Sequence, residues 1–343
     1  MKALVKKIVL LFMLLLVGFY YGPIFYDERE VPTHETETVN NVVMENEEVT
    51  VIHPLPVSGF EHYVGQNIQT YAARHGDPTI IYSEGPGESN LWVYYSETHN
   101  FIQIEVRNSI IQSLFVLGSD IQTGAIQIGM NRNNVYDETL LSRRFEFDWL
   151  GETVSLALTR EEWEHFPLVQ FDNNSFAMLY FHPEKNDIYA IRYLSPETLV
   201  DMNYYSVTGI EAVAGTSVHK NTGRLLEHYI NAIRTENDLD LLASSEKLNE
   251  YGNEILQSVG TNELTFNGLS AEIITAAEKE EKLIAYNVSA NSVDAPMRFG
   301  LMLLNASNRA LFLDPFFTGF SIISSNDDLL LVFESEGTDS SDY

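Results

Sequence analysis

The side chains able to do chemistry are unevenly placed along this chain. Eight of its nine histidines precede residue 220, among them His62, His75, His99, His165, His182 and His219. No two stand at the His-x-x-x-His spacing that puts a pair of imidazoles on one helix face for a metal ion. Each therefore reads as an exposed turn histidine. Cysteine is absent, which removes disulfides, thiolate ligands and cysteine nucleophiles together. The stretch TREEWEH, residues 159–165, gathers carboxylates around Trp163 and would suit a general acid. The same letters also spell the first turn of an acidic surface helix, with Thr159 as N-cap and Glu162 closing a capping box. SEGPGES, residues 83–89, has the glycines of a phosphate cradle, but Glu84 and Glu88 would repel the anion. What remains is NASNRALFLDPFFTGFSI, residues 305–322. There Asn308 and Arg309 stand near a helix end, suited to capping and loop hydrogen bonds, ahead of an apolar run broken by Asp314 and Pro315.

The elements that position these residues follow from hydrophobic period. Between about 59 and 215 the period is two. YVGQNIQTYAARHGDP begins helical and stops at Gly76 and Pro78. LWVYYSETHNFIQIEVRNSIIQSLFVLG then gives aromatic and β-branched strands with a turn at Asn108-Ser109. In it Phe101, Gln103, Glu105 and Arg107 alternate with Ile102, Ile104 and Val106, the pattern of a half-buried strand. FAMLYFHPEKNDIYAIRYL is a second strand, turn and strand. After Gly215 the period changes to about 3.6. TGRLLEHYINAIR puts Leu225, Leu226, Tyr229, Ile230 and Ile233 on one helical face, and EKLNEYGNEILQSV repeats the pattern with Leu248, Tyr251, Ile255 and Val259. SAEIITAAEKEEK predicts a third helix, LIAYNVSA a strand, and PMRFGLMLLNASN a fourth helix starting at Pro296. FTGFSIIS and DLLLVFES are two strands joined by a tight hairpin at SNDD.

Composition bounds the partners. Lys plus Arg number 20 against 49 Asp plus Glu, a formal net charge of -29 over 343 residues. Such a surface repels polyphosphate, which excludes nucleic acid as a partner. The N-terminus sets the compartment. Lys2, Lys6 and Lys7 precede an uncharged run from Ile8 to Tyr26, about the length that crosses a bilayer, with the lysines on the inside. No small-x-small cleavage site follows the run, and Tyr20, Tyr21 and Tyr26 resemble an interfacial belt, so residues 1–26 read as an uncleaved anchor. Residues 27–58, acidic and containing three prolines, read as a solvated stalk, and 337–343 as an acidic tail. The expected localisation is the cell membrane, single-pass, with the bulk of the chain extracytoplasmic.

Taken in order, the segments after residue 215 and the motif NASNRALFLDPFFTGFSI resemble the CAP superfamily, the group of cysteine-rich secretory (SCP-like) proteins. Bacterial members carry Ser-Pro-Gly-His-Arg at a helix end, then Asn-Ile-Leu, a Pro and Phe-Thr. On that pattern Asn308 occupies the histidine position, Arg309 keeps the arginine, and Leu313, Pro315, Phe317 and Thr318 match. The Gly-Glu-Asn-Ile motif of the family falls on Ala285, Tyr286, Asn287 and Val288, and its first cavity histidine near Asn267. The preceding region is similar to the CAP-associated N-terminal domain of membrane-attached proteins in Gram-positive bacteria. The resemblance implies an α+β chain: a β-rich N-terminal domain, 59–215, then an α-β-α sandwich with a three-stranded antiparallel sheet, 216–336. The family cavity can hold a divalent metal through two histidines and acidic residues. Here both histidine positions are Asn and the glutamate is Tyr286, so the resemblance implies a degenerate cavity, formed by Asn267, Tyr286, Asn287, Asn308 and Arg309, with no metal and no cofactor. The expected function is a noncatalytic module binding an envelope protein or lipid ligand. The alternatives are an envelope hydrolase using carboxylates such as Glu254, Glu263 or Glu272, and lipid capture between the helices.

Overall fold

The computed structural model describes residues 54–83, 89–95, 100–210, 221–259, 283–289, 294–325 and 328–335. The predicted anchor, most of the stalk, the helix expected at 270–282, the boundary near 215, Asn267, Glu263, Glu272 and the tail lie outside them. No helix among the described residues is long and apolar enough to cross a membrane. The described residues fall in one compact unit that begins at Ile52.

A seven-stranded antiparallel sheet is the central layer. Its spatial order is β1 (Ile80–Ser83), β2 (Asn90–Tyr95), β3 (Phe101–Arg107), β4 (Ile110–Leu117), β9 (Ile188–Leu194), β8 (Phe176–Phe181) and β7 (Leu168–Gln170). The β3–β4 hairpin turns at Asn108 and Ser109, whose φ angles of 53° and 65° suit the right-handed twist of the flanking strands. The helix α1 (Ile68–His75) starts where the Asn67 side chain accepts the Gln69 N–H and ends at Gly76, φ 85°.

Both faces of this sheet are covered. Phe115, Leu117, Phe176, Met178 and Tyr180 belong to one core, and Leu114, Val116, Ala177, Leu179 and Phe181 to another, as a period of two requires. The second core is closed by Phe60, Tyr63, Ile68, Tyr71 and Val135. The first is closed by residues from beyond 220, including Leu225, Tyr229, Met297 and Phe299, and by the small sheet of β5 (Arg144–Trp149), β6 (Glu152–Ala157) and β10 (Ser206–Thr208). The half-buried pattern expected of β3 is corrected accordingly. Gln103 is buried at 4% exposure because the Tyr229 hydroxyl, 126 residues away in sequence, donates to its Oε1.

The short helices follow their sequence signals. Beyond α2 (Arg132–Glu138), α3 (Arg160–His165) opens with the capping box: Thr159 Oγ1 accepts the Glu162 N–H, and Glu162 Oε2 accepts the Thr159 N–H at 2.6 Å. α4 (Pro196–Asp201) has Ser195 as N-cap.

After residue 220 come α5 (Thr222–Glu236), β11 (Ala243–Ser244), α6 (Glu246–Val259), β12 (Leu283–Ser289), α7 (Ala295–Leu304), α8 (Ala306–Phe312), β13 (Phe317–Ser325) and β14 (Asp328–Ser335). The predicted apolar face of α5 is fully buried. Its Gly223 lies so close to β13 that a Cβ there would sit 2.6 Å from the Ile322 carbonyl oxygen. The second sheet runs β11-β13-β14-β12, with β12, β13 and β14 antiparallel as expected and β11 added parallel to β13 at Gly319 and Phe320. Two residues are too few to show a period, so a fourth strand is invisible in the sequence. The single helix expected at 296–308 is two helices. α7 begins at Ala295 with Asp294 as N-cap, and the chain leaves helical geometry at Asn305, whose Oδ1 accepts the N–H groups of Ser307 and Asn308 at 2.9 and 3.2 Å and so opens α8.

Candidate functional site

The buried stripe of α5 ends at Ile233 and Arg234. The Arg234 guanidinium, wholly buried, donates to the carbonyl oxygens of Asp240 at 2.8 Å, Phe312 at 2.8 Å and Asp314 at 2.9 Å. One arginine thereby pins the end of α5 to the chain leaving α8. Across from it, the β8–β9 turn is held by the His182 N–H donating to the Asp187 carbonyl at 2.7 Å and the Asn186 N–H to the His182 carbonyl at 2.9 Å. Between these supports lies a cavity of about 260 Å³. Its walls include Ile128, Ile188, Ile233, Leu303 and Leu313, and its polar lining includes His182, Lys185, Asp187, Glu236 and Arg309.

Glu236 is the anomalous member. Its Oε1 is buried and accepts no hydrogen bond among the described residues. Burial pushes its carboxyl up to about 7; the Ser119 backbone N–H and Lys185 oppose the rise, and Asp187 and Asp120 add to it. The imidazole of His182 is held below the ordinary histidine range, first by burial and then by Lys185, so it is neutral at pH 7. This replaces the expected exposed turn histidine with a half-buried one that lines a cavity. Arg309 is already matched: it donates to the carbonyls of Leu303 at 2.6 Å and Leu304 at 3.0 Å, which end α7, and to Glu184 Oε1 at 2.7 Å.

Of the five residues expected to form one cavity, Asn267 lies outside the described residues. Arg309 lines the cavity described above. Asn308 is 5% exposed within α8, donating from Nδ2 to the Met302 carbonyl at 3.0 Å, so the pair caps the C-terminal carbonyls of α7 rather than ending its own helix. Tyr286 and Asn287 stand on β12, in register opposite Leu331 and Leu330. Glu254 is exposed on α6. Among the described residues no three His, Cys, Asp or Glu side chains are placed to hold a metal ion. Sequence reasoning missed Glu236 and His182. The signal for Glu236 is its place one turn after Ile233, a carboxylate on the edge of an otherwise apolar stripe.

Comparison with known proteins fits this architecture. Residues 64–205 match the family model described as CAP-associated N-terminal. This stretch is a CAP-associated N-terminal domain. A cysteine-rich secretory protein from Staphylococcus aureus superposes with a TM-score of 0.71 at 16% identity, covering 83% of this chain and 95% of its own. An extracellular protein containing an SCP domain, from Bacillus anthracis, gives 0.68 at 17% identity, covering 86% of this chain and 100% of its own. At such identities the likeness is one of fold, a mixed α+β chain. The membrane protein YlbC of Bacillus subtilis is 25% identical over 210 residues, 60% of this chain and 58% of that relative, so the match spans less than two thirds of the relative's length.

Proposed function

We propose that this protein is a membrane-anchored, extracytoplasmic binding module in which a degenerate CAP-like domain takes a ligand or partner and catalyses nothing. Residues 1–26 would be the anchor, 27–58 the stalk, 59–215 and 216–336 the two domains, and 337–343 a free acidic tail. The observation that carries the reading is the cavity between the CAP-associated β-sheet and the helices that follow it, built with a buried carboxylate oxygen that the protein itself leaves unpaired. A buried acceptor without a partner costs about 1–3 kcal/mol, a cost that a bound group supplying an N–H or O–H donor would offset. The membrane relative and the extracellular SCP-domain neighbour support the compartment. The substitution of Asn308 and Tyr286 at the family's histidine and glutamate positions supports the absence of catalysis, since neither side chain is a general base at neutral pH.

Two measurements test this on the full chain. In intact protoplasts, added protease should degrade the folded part while the chain fractionates with membranes; protection, or recovery in the cytosol, would overturn the anchored topology. Protein extracted in mild detergent should hold no stoichiometric zinc or calcium and release no fragments from purified cell wall over hours. A chelator-sensitive metal or a steady release of fragments would replace the binding module with an enzyme.

A further inference from the structure

We infer that the cavity at the end of α5 is a site for a primary ammonium group on a short aliphatic stem, with Glu236 as its anionic partner. This rests on the binding-module reading and names the chemistry of its ligand. The volume of about 260 Å³ equals roughly eight or nine waters at ~30 Å³ each, room for a chain of a few methylenes and a head group. Ile128, Ile188, Ile233, Leu303 and Leu313 offer the stem an apolar wall. The head group must answer Glu236, whose buried Oε1 has no donor among the described residues.

The other charges around the cavity decide the sign. Arg309 is committed to two carbonyls and to Glu184, so its charge is matched before any ligand arrives. His182 is neutral. Lys185 is exposed at the rim and offsets part of the negative field at Glu236, whereas Asp187 is half-buried and adds to it. Asp120, on the segment after β4, adds a second negative field at Glu236. With Arg309 matched, what faces the empty space is the Glu236 carboxylate, its field strengthened by Asp187 and Asp120 and only partly offset by Lys185 and the Ser119 N–H. A cation completes it and an anion does not. On a chain of net charge -29, the approach of a cation is also favoured at long range.

The pH dependence follows from the same groups. An ammonium needs Glu236 ionised, and a carboxyl near 7 is about one-tenth ionised at pH 6 and nine-tenths at pH 8, a roughly tenfold span in affinity. Burial holds the His182 imidazole below its ordinary value, which disfavours a competing positive charge there. The test is titration of the full chain in detergent with n-butylamine, n-butanol, butyrate, cadaverine and Nα-acetyl-lysine amide, read by calorimetry and by ligand-observed NMR. Butylamine should bind about tenfold more tightly at pH 8 than at pH 6, and neither butanol nor butyrate should compete with it. Glu236→Gln should abolish the pH dependence and most of the affinity, and Leu303→Trp, which fills the cavity, should remove binding while circular dichroism confirms the fold. Binding of the lysine amide but not of cadaverine would identify a peptide side chain as the source, and the converse a free amine. Butyrate binding, or equal butylamine binding to wild type and Glu236→Gln, overturns the ammonium assignment. Failure of every probe also overturns it, while the binding-module reading stands or falls separately on the metal and cell-wall measurements above.

Discussion

Two buried charges lie where the CAP-associated sheet meets the helices beyond residue 220, and they have opposite fates. Arg192 on β9 is 1% exposed and faces the core shared with α7. Its guanidinium takes both carboxylate oxygens of Asp294 in a two-pronged pair, 3.0 Å from Oδ1 and 2.5 Å from Oδ2. Burial alone would weaken that charge; Asp294, Tyr180 and Glu105 together outweigh it and hold the guanidinium above its ordinary range. The Glu236 Oε1 is also buried, but among the described residues it has no hydrogen-bond partner, and empty space lies beside it. The difference separates a charge that organises a fold from a charge held ready for something else. The matched pair joins two elements 102 residues apart, whereas the unmatched one raises its own pKa and waits.

The largest expected effect breaks the matched side. Arg192→Met removes a buried guanidinium and leaves the partly buried Asp294 without its partner, which should cost about 2–4 kcal/mol, whereas Arg192→Met with Asp294→Asn, which keeps an N-cap on α7, should recover most of that loss. Urea unfolding followed by tryptophan fluorescence would show it, and equal losses in single and double variants would end the comparison. Next comes Glu236. Its carboxyl is raised from an ordinary 4.5 to about 7, so between those pH values the folded state binds a proton that the unfolded chain releases. Stability should therefore be full below about pH 4.5 and fall as pH rises through 7, by up to about 3 kcal/mol at about 1.4 kcal/mol per tenfold. Glu236→Gln should flatten that slope. A slope unchanged by the substitution would assign the pH dependence elsewhere.

Smaller effects sharpen the contrast. At Gly300 an added Cβ would stand 2.7 Å from Tyr180 Cε1 and 2.8 Å from Phe166 Cε1, so Gly300→Ala should cost about 1–3 kcal/mol by overpacking the matched side. On the cavity side, Asn305→Ala removes the cap that opens α8 and should cost about 1 kcal/mol, with a loosened Arg309 and weaker amine binding. Thermal unfolding and the amine titration together would distinguish the two.

How far the sequence foretold this depends on whether a feature is local. The apolar stripe of α5, the Asn108-Ser109 turn and the Thr159–Glu162 box are written within a few residues and appear as read. Gln103, Arg192 and Glu236 are not. Each owes its state to a residue or a void brought from 100 or more positions away or from several segments at once, and a period of two or 3.6 carries no information about such a partner. The family resemblance supplied the architecture beyond that limit, and Arg309 with it. It carried no signal for the cavity beside Arg309, because a motif marks where relatives keep their chemistry.

The shared core has a consequence in time. The sheet face bearing Phe115, Phe176 and Tyr180 is complete in sequence by residue 194, and Phe145 and Phe147 cover its Phe176 end, yet Phe115 is covered by Tyr229, which packs on Phe299. A chain emerging from its N-terminus at about 5–20 residues per second leaves that aromatic face bare for several seconds. Its closing contacts are also long-range, which slows the last step of folding. Whatever attends this protein as it folds must shield a sheet that has been made but not yet roofed.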